Sequence, residues 1–178
     1  MSSKEDMKVH YSSKSNEWDT PQGFYNRLNE HYNFTLDPCA TDYSAKCEKY
    51  YTEKDDGLSK SWAGETVFMN PPYGREIGKW LKKAHDETKN NKGTTVVCLI
   101  PSRTDTKYWH QYCMQAHELY FVKGRLKFGN KQADTPSGKS NPAPFPSVVV
   151  VFKSGYTPLY GGNNPKLFTM TNSGVQGG

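Results

Sequence analysis

With 178 residues, 34% of them apolar, and a mean hydropathy of −0.87, the chain has the length of one domain with an economical core and leaves little for a second module. Its net charge of +5 favours a polyanionic partner. No apolar run approaches the roughly 18–20 residues that cross a bilayer, and the polar start Met1-Ser2-Ser3-Lys4-Glu5-Asp6 lacks the apolar region of a secretory signal, so a cytoplasmic location is expected.

Residues 1–16 show no apolar period and read as a flexible arm. Thr20 followed by Pro21 is a cap plus first-turn signal, and Phe24, Tyr25, Leu28 and Tyr32 then share one side of a helix ending near His31. Phe34 to Asp37 reads as a short strand stopped by Pro38. A polar connection follows, with a further short strand at 49–52 and a turn at Asp55-Asp56-Gly57. Glu65 to Met69 is the next strand. After it Ile77, Trp80, Leu81, Ala84 and Thr88 give the spacing of an amphipathic helix closing near Gly93.

Thr94 to Ile100 is almost wholly apolar, as expected of a central strand covered on both faces. A helical stretch from Thr104 carries Tyr108, Trp109, Tyr112, Cys113 and Ala116 on one stripe, a core pattern. Glu118–Val122 and Arg125–Phe128 flank Lys123-Gly124 as a hairpin would, and Pro146 to Lys153 is the last predicted strand. This order predicts an α/β fold: an open, mostly parallel sheet with helices on both faces and one antiparallel strand at an edge. The domain is expected over 17–153, with a polar loop at 129–145 and a Gly/Asn-rich tail at 154–178.

Cys39, Cys47, Cys98 and Cys113 form no Cys-x-x-Cys pair, and Cys98 lies in an apolar strand, so they read as reduced thiols. Cys39 and Cys47 with His31 match no common zinc spacing, and no metal is expected. Nor is there a Gly-rich phosphate loop ending in Lys-Ser or Lys-Thr.

Chemistry concentrates at Asn70-Pro71-Pro72-Tyr73, directly after a strand. The Asn70 amide oxygen and the Pro71 carbonyl, held by two fixed φ angles, supply two acceptors for one NH2 group, and Tyr73 supplies an aromatic face for a planar base. That pair of acceptors suits alkylation of an exocyclic amine. Ligands in open parallel sheets bind beyond the carboxyl ends of strands, which selects Asp37 and, near Gly57, Asp56 as rim carboxylates. Each is equally readable as a capping or turn residue. Thr20-Pro21 likewise reads either as a plain cap or as a helix start able to hold a ligand carboxylate.

Trp18-Asp19-Thr20-Pro21, Leu36-Asp37-Pro38-Cys39-Ala40-Thr41, Asp56-Gly57-Leu58 with Trp62, Asn70-Pro71-Pro72-Tyr73 and Phe145-Pro146-Ser147-Val148-Val149 together resemble the phage-type DNA N6-adenine methyltransferases, over residues 17–153. The resemblance implies a Rossmann-like methyltransferase fold that uses S-adenosylmethionine, with Asn70, Pro71, Pro72 and Tyr73 as the amino-methylation loop. It implies further that Trp18, Thr20, Pro21, Asp37, Cys39 and Asp56 lie at the cofactor. The turn after the first strand contains no glycine, where many methyltransferases have a Gly-rich one.

A duplex adenine must leave the stack before its amine can meet a methyl donor. The resemblance thus implies double-stranded DNA as the partner, and Lys123, Arg125, Lys127, Lys131 and Lys139 are expected as phosphate contacts around 129–145. A solvated lysine-rich loop would carry the same residues. Methylation of another amine (cytosine N4, an RNA base, a protein glutamine) and a catalytically silent DNA-binding module are the competing readings.

Overall fold

The computed structural model describes residues 17–130, 142–155 and 165–173; Lys131, Lys139, the arm 1–16 and much of 129–145 and 154–178 lie outside them. The elements are β1 (Trp18–Asp19), α1 (Gln22–Tyr32), β2 (Thr66–Met69), α2 (Ile77–Asn90), β3 (Thr95–Pro101), α3 (Lys107–Gln111), β4 (Glu118–Lys123), β5 (Gly129–Asn130), β6 (Ser147–Lys153) and β7 (Lys166–Thr171). Five strands form one sheet in the order β2-β3-β6-β4-β7. Strand β2 runs parallel to β3 and β4 parallel to β7, while β6 opposes both of its neighbours. Among the described residues the sheet continues beyond β2 as single parallel bridges, Leu36 to Val67 and Asp37 to Tyr50, where strands at 34–37 and 49–52 were expected.

Two expectations are corrected here. The reversed strand is interior, not at an edge: it pairs with β3 on one side and β4 on the other, and Ser147 to Phe152 are all buried, as cover on both faces requires. The hairpin at Lys123-Gly124 does not form. Gly124, at φ 83°, turns the chain away, and the far side of β4 is taken by β7, with the Asn172 N–H continuing the ladder to the Lys123 carbonyl. Residues 125–128 cross instead toward β5, which pairs antiparallel with β1.

Side chains alternate across the sheet, so the registers assign its faces. Phe68, Val97 and Val151 are aligned on one face, where Tyr25 of α1 meets Phe68 with ring centroids 5.1 Å apart. Val67, Val96 and Phe152 are aligned on the other, where His85 of α2 lies 6.3 Å from the Phe152 ring. Helices therefore cover both faces. Helix α2 also clasps the Gly57–Trp62 segment: Trp62 is fully buried, its indole N–H donates to the Gly57 carbonyl at 3.0 Å, its ring stacks on Trp80, and its backbone N–H reaches Glu87.

Strand β7 lies in what the sequence presents as a tail. Its residues are mostly exposed, Leu167 at 62% and Phe168 at 40%, so it lacks the buried alternation that announces a strand. Phe168 nevertheless stacks on Tyr120, and Arg27 of α1 donates to the Thr171 hydroxyl at 2.7 Å. A chain stopped after Lys153 should lose the ladder to β4 and expose that strand's edge. The expected result is a melting midpoint lower by roughly 5 °C or more, with aggregation on heating; an unchanged melt would show that β7 adds nothing.

Candidate active site

Asn70 is the first residue beyond the carboxyl end of β2, and the neighbouring parallel segments at Asp37 and β3 end on the same rim. It is 2% exposed. Its Nδ2 group donates to the Trp18 carbonyl and, at 2.9 Å, to the Thr20 hydroxyl. Thr20 is thus no helix cap: α1 begins at Gln22, Pro21 occupies the cap position, and no side chain caps the start. The hydroxyl that the cap reading assigned to backbone amides accepts from Asn70 instead, and Thr20 is buried.

Tyr73 is 5% exposed and donates its hydroxyl to the Leu99 carbonyl at 3.1 Å. Its ring meets Phe145 (5.5 Å, 78°) and Phe128 (6.2 Å, 88°), and both also touch Trp18 edge-on. Four aromatics therefore wall in the Asn70 corner, with Tyr73 packed among them rather than standing as an open platform. Burial holds the Tyr73 phenol well above its usual range, so it remains a hydrogen-bond donor and takes no part in proton transfer near neutral pH.

Beside this corner runs a groove of about 900 Å³. Its walls come from the loop Pro38–Tyr43, the turn Thr52–Lys54 with Asp56 and Gly57, and the turn Pro72–Glu76, so Cys39, Asp56, Pro72 and Tyr73 meet there despite their separation in the chain. Asp56 is exposed and has positive φ, 54°. Asp37 is not among the residues that line the groove. It is 5% exposed, and its carboxylate accepts from the backbone N–H groups of Cys39 (3.2 Å) and Lys46 (3.1 Å), shaping the loop that forms the wall. Lys46, its side chain only 8% exposed, pairs with Asp19 at 3.2 Å and donates to Gln22 at 3.1 Å, tying that loop to β1 and α1.

Gly57 is required by close approach: a Cβ there would lie 2.3 Å from the Pro38 carbonyl oxygen and 3.2 Å from the Trp80 ring. Among the groove's lining residues, Glu17, Asp42, Glu53, Asp56 and Glu76 outnumber Lys54 and Arg75, giving it a negative field. Tyr43, 65% exposed, offers a ring at the mouth.

Lys123, Arg125 and Lys127 are exposed, whereas Leu126 and Phe128 between and beyond them are buried, so this segment presents cations outward while its apolar residues reach the Asn70 corner. Arg125 also donates to the Ala143 carbonyl at 3.2 Å. None of the four cysteines is in a disulfide; burial pushes Cys47 up to about 11 and Cys113 up to about 12, which suits structural thiols rather than nucleophiles.

Sequence reasoning did not single out Gly57, Tyr43, Phe128 or Phe145 as site residues. Gly57 and Phe145 stood in stretches already picked out, and Phe128 in the alternation of Arg125, Leu126, Lys127 and Phe128, whereas Tyr43 carried no local signal. Among the described residues no helix is long and apolar enough to cross a membrane.

A mostly parallel sheet with helices on both faces, a buried Asn-Pro-Pro-Tyr loop on its rim and an acidic groove beside it make this an α/β protein with a cleft at the carboxyl ends of its strands. The chain matches the family model for DNA N-6-adenine-methyltransferase (Dam) over residues 8–167. It is 27% identical over 139 residues to the DNA N-6-adenine-methyltransferase of Haemophilus phage HP1 (strain HP1c1), which covers 76% of this chain and 78% of that protein. It is also 27% identical over 111 residues to the DNA N-6-adenine-methyltransferase of Escherichia phage T1, covering 61% of this chain and 45% of that longer protein. The chain belongs to the DNA N-6-adenine-methyltransferase (Dam) family, and its activity is N6 methylation of adenine in DNA.

Proposed function

We propose that the groove holds S-adenosylmethionine and that the Asn70 corner receives an adenine rotated out of double-stranded DNA, within a Rossmann-like methyltransferase fold. The observation that carries this is the adjacency of two unlike places: an acidic groove, and an amide-bearing corner walled by aromatics that shares Pro72 and Tyr73 with it. The groove fits the cofactor in size and sign. About 900 Å³ exceeds the volume of one nucleoside joined to an amino acid, and five carboxylates suit a ligand with sulfonium and ammonium charges.

Asp56 would serve the ribose hydroxyls and Cys39 would line the wall. The uncapped first turn of α1 after Thr20-Pro21 lies outside the groove's lining and would meet only the carboxylate end of the ligand. When bound, the cofactor supplies an electrophilic methyl group. The chain's own work is positional. Asn70 and the Pro71 carbonyl accept the N6 hydrogens, turn the nitrogen lone pair out of conjugation and hold it in line for attack. Stacking on Tyr73 requires Phe128 or Phe145 to yield as the base enters. Trp18 and Pro21 frame the corner, and the enzyme works in the bacterial cytoplasm, where its DNA is.

Incubation with methyl-labelled S-adenosylmethionine and DNA, RNA or protein in turn should label DNA alone, at adenine. Calorimetry should register cofactor binding; a chain that binds none is a silent DNA-binding module and the proposal fails.

The exposed cations Lys123, Arg125 and Lys127, with Lys131 and Lys139, are proposed to meet phosphates. Each lost contact lowers the slope of log K against log salt by about 0.9 for duplex DNA. Lys127→Gln should therefore flatten the salt dependence of DNA binding by roughly that amount in a fluorescence titration, and an unchanged slope removes Lys127 from the interface.

A further inference from the structure

An asparagine amide can sit in its pocket in two ways, related by a half-turn, that exchange a donor for an acceptor. At Asn70 the choice is forced by its neighbours. The Trp18 carbonyl can only accept, so the atom facing it is the nitrogen, and the second hydrogen on that nitrogen goes to the Thr20 hydroxyl at 2.9 Å. Both acceptors come from the segment that runs from β1 into α1, and that segment is itself anchored by the Asp19–Lys46 pair and by the pairing of β1 with β5.

We propose that Thr20 is a positioning residue for methyl transfer. With the Trp18 carbonyl, it holds the Asn70 amide in the one orientation that turns its oxygen away from β1, toward the target amine. This rests on the reading that Asn70 accepts from that amine, and it gives Thr20 a task different from binding the cofactor. The carbonyl sets which way the amide faces, but alone it leaves the second amide hydrogen without an acceptor in a buried place, and the amide then tilts to satisfy it. The hydroxyl takes that hydrogen and holds the amide in line. A tilted amide presents its oxygen off the line of the amine, which slows transfer without altering the groove.

The test compares Thr20→Val, which keeps the shape and deletes the acceptor, with Thr20→Ser, which keeps the acceptor. Single-turnover methylation of duplex DNA with saturating labelled S-adenosylmethionine should slow by about 10- to 100-fold in Thr20→Val. Its affinity for S-adenosylmethionine, measured by calorimetry, should stay within about threefold, and Thr20→Ser should recover the parent rate to within about threefold. Full rate in Thr20→Val, or lost cofactor affinity with an unchanged saturated rate, overturns the proposal. Failure of Thr20→Ser to recover activity while folded overturns it as well. Asn70→Ala, measured alongside, separates the two levels: if that variant is active, the reading of Asn70 itself is wrong, whereas an inactive Asn70→Ala with an active Thr20→Val removes only the role of Thr20.

Discussion

Asn70→Ala should slow methyl transfer by roughly 100- to 1000-fold, the loss found when one preorganised hydrogen-bonding group at a reacting centre is removed. The substitution deletes one of the two acceptors that align the amine. It does not touch the Pro38–Tyr43 wall or Asp56, so S-adenosylmethionine affinity should stay within about threefold by calorimetry. It also leaves the Trp18 carbonyl and the Thr20 hydroxyl without the amide that donates to them, which costs about 1–3 kcal/mol of stability. A melting curve must accompany the rate measurement to separate slow chemistry from unfolded protein. Parent-like rates in a folded Asn70→Ala would end the assignment of this loop as the amine-binding element.

Gly57→Ala tests the groove rather than the chemistry. The added methyl would stand 2.3 Å from the Pro38 oxygen, a distance real Cβ atoms do not adopt, and the nearest relief is blocked by the Trp80 ring at 3.2 Å. Something on the wall must shift. Overpacking of this kind costs roughly 1–3 kcal/mol, which lowers the melting midpoint by about 3–10 °C in a chain of this size. Because the displaced atom belongs to Pro38, S-adenosylmethionine affinity should fall at least tenfold. Gly64→Ala is the internal comparison. Its φ of +77° makes alanine strained, but no atom lies within 4 Å, so it should cost about 1 kcal/mol and leave cofactor affinity as it was. Equal affinity losses in the two variants would show that general destabilisation, not the Pro38 wall, sets binding.

The contrast between these sites shows what the sequence discloses. Helices α1 and α2 and strands β2, β3 and β6 were legible because each carries a clear apolar period or run: Phe24, Tyr25 and Leu28 on one side of a helix after Thr20-Pro21, or Val148 to Val151 after Pro146. The Asn-Pro-Pro-Tyr loop was legible because two prolines after a strand leave little conformational choice. The place of β6 in the sheet was not, since the same apolar run describes any doubly covered strand, whichever way it points. The task of Thr20 was hidden for a different reason. A threonine before a proline carries a local capping signal, and a partner 50 residues away, Asn70, outcompeted it. Asp37 does end a segment at the rim, but its carboxylate accepts from the backbone N–H groups of Cys39 and Lys46, a local role that its residue type could not announce. Gly57 was visible as a turn residue, whereas the carbonyl that forbids any larger side chain comes from Pro38 on another loop.

The position of β6 bears on how the molecule is made. Its ladder joins Thr95–Pro101 to Ser147–Lys153 and also borders Glu118–Phe121, so a ribosome must release the late segment before the two flanking halves have any common border. Until then β3 and β4 are adjacent in the message but separated by a gap one strand wide. Assembly of the sheet during synthesis is consequently deferred until β6 has been made, and a nascent chain arrested before residue 147 presents two open strand borders to any chaperone that finds it.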